Sequence, residues 1–257
     1  MKLGEFLERY VFVRICVGCG ERMGYEYKDE AFCDACRISW ERAKNMSCTE
    51  CFASMSECRC MPKPMADAGV TEFRKLTAYI AHNDSHPENK LLYFLKHNKN
   101  KRAATFAANQ LIYKIDELIS ENELNRDDVV ITYIPRSRRA YAREGVDQAR
   151  LICKMISEVS GIECLPLIKR KKDGKSEQKA LARSKRLANA RGMFELDEKL
   201  ASECRGRAVI IFDDIVTSGA SMAANAKLIC RGGIERVYAL SVAYSLKEKS
   251  GANFIFR

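Results

Sequence analysis

Residues Val209 to Met222 read VIIFDDIVTSGASM, and no other stretch limits the fold as tightly. An apolar run without polar alternation suits a strand buried on both faces, as in parallel sheets covered by helices. Ligands of such sheets sit at the carboxyl ends of the strands. Asp213 and Asp214 end this strand, so at least one carboxylate faces the cleft. There it can accept hydrogen bonds from vicinal sugar hydroxyls or help hold Mg²⁺. Thr217, Ser218, Gly219, Ala220 and Ser221 then turn into a helix. Small residues let the backbone approach a phosphate, and successive N–H groups with the helix N-terminus stabilise a dianion. A P-loop triphosphatase would need a lysine here and a dinucleotide site would need spaced glycines, so both are excluded. An ordinary strand–turn–helix connection with a Ser or Thr cap remains the plain alternative, and the paired aspartates weaken it.

The rest of the chain repeats the alternation. EFRKLTAYIAH, DVVITYIP, ECLPLIKR, RAVIIFDD and RVYALSVAYS read as strands. HPENKLLYFLKHNKN, RAATFAANQLIYKIDELISE, VDQARLICKMISEVSG and GASMAANAKLICRGG read as helices, by 3.6-residue spacing, Pro87 at a helix start and glycines at helix ends. The expected fold class is α/β, a parallel sheet flanked by helices. Three chemically loaded segments fall at strand ends: Ile134–Arg139, Lys169–Lys172 and Asp213–Ser221.

Eight of the twelve cysteines fall between Cys16 and Cys60. Cys16 and Cys19 are two residues apart, as are Cys33 and Cys36, and Cys48 and Cys51; one residue separates Cys58 from Cys60. Two such close pairs complete a tetrahedral thiolate site, so two closed, structural Zn²⁺ sites are expected. Pairing in sequence order gives Cys16/Cys19/Cys33/Cys36 and Cys48/Cys51/Cys58/Cys60; an interleaved pairing also satisfies the spacing. Gly18 and Gly20 suit a knuckle whose amides point at sulfur. Loaded with two Zn²⁺, the chain's formal charge of +10 falls to about +6. Cys153, Cys164, Cys204 and Cys230 stand singly in apolar or mixed segments and read as buried small hydrophobes.

CMPKPMADAGV carries two prolines and a glycine and reads as a break. The expected organisation is a cysteine module at 1–62, a linker at 63–70 and an α/β domain at 71–257, within reach of a 257-residue chain. The N-terminus has charges every few residues and no apolar signal core, and no apolar run is long enough to span a bilayer, so a cytoplasmic protein without membrane insertion is expected. The positive balance favours phosphate-bearing partners. His82 and His86 lie in a turn-rich segment and read as surface residues, while Trp40 is expected to pack between the cysteine module and its surroundings.

VIIFDDIVTSGASM resembles the phosphoribosyl pyrophosphate (PRPP) motif of type I phosphoribosyltransferases, and the chain resembles the ComF family, which joins a cysteine module to such a domain. FVRICVGCG is similar to that family's opening, with Val13 where a proline is expected. IPRSRRAYAREGVDQARLI is similar to a second family segment, with Val146 and Asp147 in place of Phe and Asn. QKALARSKRLANARGMF is similar to a third through Gln178, Leu181, Arg186, Asn189, Gly192 and Phe194. The resemblance implies that Asp213 and Asp214 bind the ribose of PRPP, that Thr217 to Ser221 hold its 5′-phosphate, and that Ile134, Pro135, Arg136 and Ser137 form the pyrophosphate loop, with Mg²⁺ accompanying PRPP. Arg136, Arg138, Arg139 and Arg143 lie in or just after that loop, and their guanidinium forks suit polyphosphate oxygens.

Ten Lys or Arg crowd residues 169–191, among them Lys169, Arg170, Lys171, Lys172 and Arg186. A charge run alone is solvated surface; at this position in the fold it suits a mobile loop closing over the cleft, or a track for a nucleic-acid backbone. Two functions follow. One is a phosphoribosyltransferase of unknown acceptor, with no catalytic residue assigned: purine-salvage relatives place an aspartate base where this chain has Thr217. The other, implied by the resemblance, is a factor in DNA uptake during transformation that handles single-stranded DNA with competence-machinery proteins and lacks transferase activity.

Overall fold

The computed structural model describes residues 14–80, 86–97, 100–171 and 192–245. Its centre is a five-stranded sheet in the order β3 (Val70–Tyr79), β9 (Arg236–Ser245), β8 (Ala208–Val216), β4 (Val129–Tyr133) and β5 (Glu163–Cys164). Every neighbouring pair is parallel. Successive side chains of a strand point to opposite faces, so β8 sends Ile210 and Phe212 into one layer and Val209 and Ile211 into the other.

Helices cover both layers. On one side lie α3 (Pro87–His97), α4 (Lys101–Glu121) and α6 (Gln148–Ser160). Asn100 caps α4 by accepting the Ala103 N–H at 3.1 Å, and the helix buries Ala104, Ala107, Ala108, Leu111, Ile115 and Leu118 along one stripe. On the other side lie α7 (Glu198–Glu203) and α8 (Ala220–Arg231).

Three features differ from the simple alternation. ECLPLIKR is not one strand: Pro166 has no N–H to donate, the ladder with β4 ends, and the chain resumes as β6 (Ile168–Arg170) in a separate two-stranded ribbon. Its antiparallel partner is β7 (Phe194–Leu196), so the basic stretch leaves and returns through a hairpin base. Residues 138–144 form a short helix, α5 (Arg138–Glu144), for which the charged sequence gave no apolar stripe.

Among its described residues the cysteine module has a β1–β2 hairpin (Arg14–Ile15 and Arg22–Met23), a 3-10 turn at Tyr25–Tyr27 and an α-helix, α1 (Asp34–Lys44). It is seated on the sheet domain through a cluster of aromatic rings. Trp40 is fully buried, with its ring 5.3 Å from Phe106 of α4 and 6.0 Å from Phe32. Residues 61–70 contain a four-residue helix, α2 (Lys63–Ala66), whose Met65 is buried in the same layer as α8. Among the described residues no helix is long and apolar enough to cross a membrane.

Candidate functional site

Tyr133 and Phe212 are direct neighbours in the β4–β8 register, and there β4 ends; β8, still paired with β9, runs on to Val216, so Asp213 and Asp214 lie inside the strand rather than at the strand end expected from the sequence. Just beyond β4, the Ile134 N–H donates to the Phe212 carbonyl at 3.0 Å, and the loop that follows reaches Asp214. Arg136 is the bridge: its guanidinium lies 3.4 Å from Asp214 Oδ2 and ion-pairs with Glu144, whose side chain is nearly sealed from solvent. The Arg136 N–H donates to Asp147 Oδ2 at 3.1 Å, while Asp147 Oδ1 accepts the Arg150 N–H and caps α6. Ser137 Oγ caps α5 by accepting the Ala140 N–H at 3.1 Å. The loop is therefore shaped by the first turns of two helices.

The acidic pair is held by its own backbone. Asp213 Oδ1 accepts the Asp214 N–H at 3.0 Å, and Asp214 Oδ1 accepts the Ile215 N–H at 2.7 Å. Beyond Val216, Thr217 is exposed, and Ser218, Ala220 and Ser221 are half-buried. Gly219 has φ +74°, and a Cβ there would meet the Met65 side chain at 2.9 Å and Pro62 at 3.0 Å. Only glycine satisfies both the left-handed turn and the close approach of α2. Within α8, Asn225 is buried and its Nδ2 donates to the Ser221 carbonyl at 2.8 Å, fixing the helix entrance. The first N–H groups of a helix have no partner within it, so this turn is chemically able to hold an anion.

Arg138, Arg139 and Arg143 are exposed on α5 with Tyr141, and Arg143 lies 2.8 Å from Glu144. Lys169 pairs with Asp197 at 2.6 Å across the ribbon base; the hydrogen bond between them raises the ammonium's pKa and lowers the carboxyl's. The Arg170 guanidinium stacks 5.2 Å from the Phe194 ring centroid, and the Lys171 N–H donates to the Met193 carbonyl at 2.9 Å. Lys172, Arg186, Gln178, Leu181 and Asn189 lie outside the described residues.

The cysteines separate into the two sets expected from sequence order. Within Cys16/Cys19/Cys33/Cys36, and within Cys48/Cys51/Cys58/Cys60, all sulfurs lie within 4.8 Å of one another. Cys19 and Cys33 sulfurs are 3.9 Å apart, close to the ~3.8 Å edge of a tetrahedron with ~2.3 Å metal–sulfur bonds. Cys16 Sγ accepts N–H groups from Gly18 and Cys33, both at 3.3 Å, and Cys48 Sγ accepts from Glu50 at 3.4 Å. A Cβ on Gly18 would sit 2.6 Å from Cys36 Sγ, so the knuckle excludes any larger residue. Burial raises the Cys16 thiol, but amides from Cys33, Cys19 and Gly18 outweigh it and bring it to about 7. Cys51 is lowered to about 7, chiefly by the Ala53 amide, while burial and neighbouring thiols push Cys60 up to about 12. A first thiolate in each cluster resists the next, and a divalent cation removes that conflict.

Cations from the sheet domain serve both clusters. Lys75 of β3 is 1% exposed, and its ammonium donates to the carbonyls of Cys58 at 2.7 Å and Cys60 at 3.0 Å. Arg59, the single residue between those cysteines, ion-pairs with Glu72 of β3 and Glu121 of α4, which also bind buried Arg74. Arg102 of α4 donates to the carbonyls of Glu30 at 2.9 Å and Ile15 at 3.0 Å beside the first cluster. The sequence readings had missed Lys75, Arg59, Arg102, Glu144 and Asn225. A lysine inside an apolar strand was the one visible signal among them; Asp147, noted only as a departure from the resemblance, was legible as a cap before an amphipathic helix.

Fold and site together define an α/β protein with an acid-and-turn cleft at its strand ends and two four-cysteine clusters. The sequence matches no protein-family model. Over 151 residues it is 24% identical to the DNA utilization protein YhgH of Shigella flexneri, an alignment covering 59% of this chain and 64% of that protein. Among solved structures it is similar to the glutamine PRPP amidotransferase from B. subtilis, at 15% identity and TM-score 0.38, over 60% of this chain and 30% of that one. It is also similar to adenine phosphoribosyltransferase from Saccharomyces cerevisiae, at 20% identity and TM-score 0.32, over 54% of this chain and 68% of that one. A purine phosphoribosyltransferase from Pyrococcus horikoshii aligns at 13% identity and TM-score 0.33, over 59% of this chain and 95% of the other. The chain thus spans less than two thirds of YhgH and under a third of the amidotransferase.

Proposed function

We propose that this protein is a ComF-like factor whose cleft takes PRPP or a related ribose phosphate, and that it acts in DNA uptake. The observation that carries the reading is the contact of Arg136 with Asp214, which joins the pyrophosphate-loop segment to the acidic pair. Asp213 and Asp214 accept hydrogen bonds from the ribose hydroxyls, the Thr217–Ser221 turn and the α8 N-terminus hold the 5′-phosphate, and Arg136 moves from its carboxylates to the pyrophosphate oxygens. The hard oxygen donors of the acidic pair fit Mg²⁺, which would neutralise pyrophosphate charge. The two four-cysteine clusters hold structural Zn²⁺. As a phosphoribosyltransferase, the protein would position the C1–pyrophosphate bond and stabilise the departing charge; no carboxylate stands at Thr217 to serve as a base toward an acceptor.

Thermal-shift titration with PRPP, ribose 5-phosphate and nucleotides tests the reading. PRPP is expected to raise the Tm of the native chain and to lose that effect in Asp213→Asn and Asp214→Asn. No shift with any of these ligands would overturn it.

A second reading, a non-catalytic single-stranded-DNA or adaptor factor, is favoured by α5. Arg138, Arg139, Arg143 and Tyr141 are all exposed there, beside the cleft, a combination that pairs phosphate contacts with a base-stacking ring. The likeness to YhgH, a DNA utilization protein, supports a DNA-related role. Oligonucleotide affinity that falls steeply with salt, and that weakens on Tyr141→Ala and on charge reversal at Lys169–Lys172, is expected. Binding insensitive to salt and to both changes would remove this reading.

A further inference from the structure

Outside both cysteine clusters, two thiols from different elements meet under the cleft. Cys153 lies on the inner face of α6, fully buried, with Sγ 3.9 Å from the Thr132 carbonyl of β4. Cys164 lies on β5, in register with Ile131, the residue before Thr132 on the same strand. The two side chains therefore converge on one spot of β4 and pack in the same core layer.

Their surroundings are unequal. Cys164 is half-buried, and the cations that act on its thiol are Lys154 and Arg150, carried on α6 within one turn of Cys153. The neighbouring Cys153 thiol, helped by those two cations, lowers the Cys164 thiol below the ordinary cysteine value despite burial. Burial pushes Cys153 well up. A partly accessible thiol near cations beside a sealed one is the arrangement of an attacking and a resolving cysteine.

We propose that Cys153 and Cys164 are a thiol–disulfide pair, oxidised by low-molecular-weight disulfides, that bolts α6 to the edge strand β5. The Cys164 thiolate attacks one sulfur of the small disulfide, forming a mixed disulfide and expelling one thiolate. Cys153 gives up its proton to solvent and attacks the Cys164 sulfur, expelling the second thiolate. Two protein thiols become one disulfide, and the oxidant is reduced to two small thiols. The bond has a route to the cleft, because α6 starts at Asp147, whose carboxylate both caps the helix and holds the Arg136 N–H. This geometry is independent of which ligand the cleft takes.

The test treats the full, zinc-loaded chain with oxidised glutathione and maps cysteines by mass spectrometry after non-reducing digestion. The expected result is a loss of two hydrogens, one reducible cross-link between the Cys153 and Cys164 peptides, and no zinc release. Cys164→Ser removes the cross-link, and Cys153→Ser leaves glutathione trapped on Cys164. Cys153 and Cys164 remaining reduced while Cys204 or Cys230 is modified would overturn the proposal, as would cross-links confined to the zinc-site cysteines. The native-chain map decides the matter even where a variant fails to fold.

Discussion

Lys75 is a charged side chain placed where strands of this kind carry valine or isoleucine. Its ammonium lies 4.8 Å from the Phe73 ring centroid and binds two carbonyls of the second cysteine cluster. Lys75→Met keeps the bulk and removes the donor, leaving both carbonyls short of a partner. It should cost about 1–3 kcal/mol, read as a lower Tm, and should speed zinc loss to a chelator from that cluster; unchanged zinc release would refute the role. Gly219→Ala places a Cβ at φ +74° against Met65 and should cost about 1–2 kcal/mol, measured by the fluorescence of Trp40 during denaturation. At this scale the two adjacent carboxylates stand out in the sequence as a break in an apolar run, but their place inside β8 and their grip on the backbone N–H groups that follow them do not. Glu144 was not legible, since its meaning arises only when α5 folds back and sets it against Arg136.

At the scale of elements, α4 does more than cover the sheet. Its last residue, Glu121, binds Arg74 and Arg59, and the Arg74 hydrogen bond holds its carboxyl below the usual glutamate range. A depressed carboxyl gives stability that is present above the unfolded value and lost as pH falls through the folded one. Unfolding midpoints taken from pH 7 downward should therefore drop below the ordinary glutamate value of ~4.3, and Glu121→Gln should flatten that drop. A variant with the native acid limb would show that the pair contributes nothing. Strand–helix alternation was readable because apolar periodicity and glycine stops are local. The β6–β7 ribbon was not, because its two short strands pair across the 23 intervening residues 171–193. Pro166 was the local sign that ECLPLIKR must break.

In the whole molecule the cysteine module and the sheet domain share their interior. Phe32 and Trp40 from the module interlock with Phe106, and Met46, Cys48, Met55 and Cys58 lie against Ala78 of β3. Stripping zinc should therefore lower the Tm of the entire chain as one transition, not melt a separate small domain first; two resolved calorimetric peaks would contradict this. The spacing of eight cysteines foretold the clusters, and the two groups of four follow chain order. What spacing could not convey was the docking, since Arg102, Lys75 and Arg59 find their carbonyls and carboxylates only after both parts have folded.

Arg59 has one cysteine of the second cluster on either side and grips Glu72 and Glu121 across the boundary. The backbone that shapes the second cluster is thus the same backbone that carries the grip. Cobalt(II) seated in that cluster would be coloured by its four sulfurs, so the visible spectrum of the substituted chain becomes a gauge of how firmly the two halves are engaged.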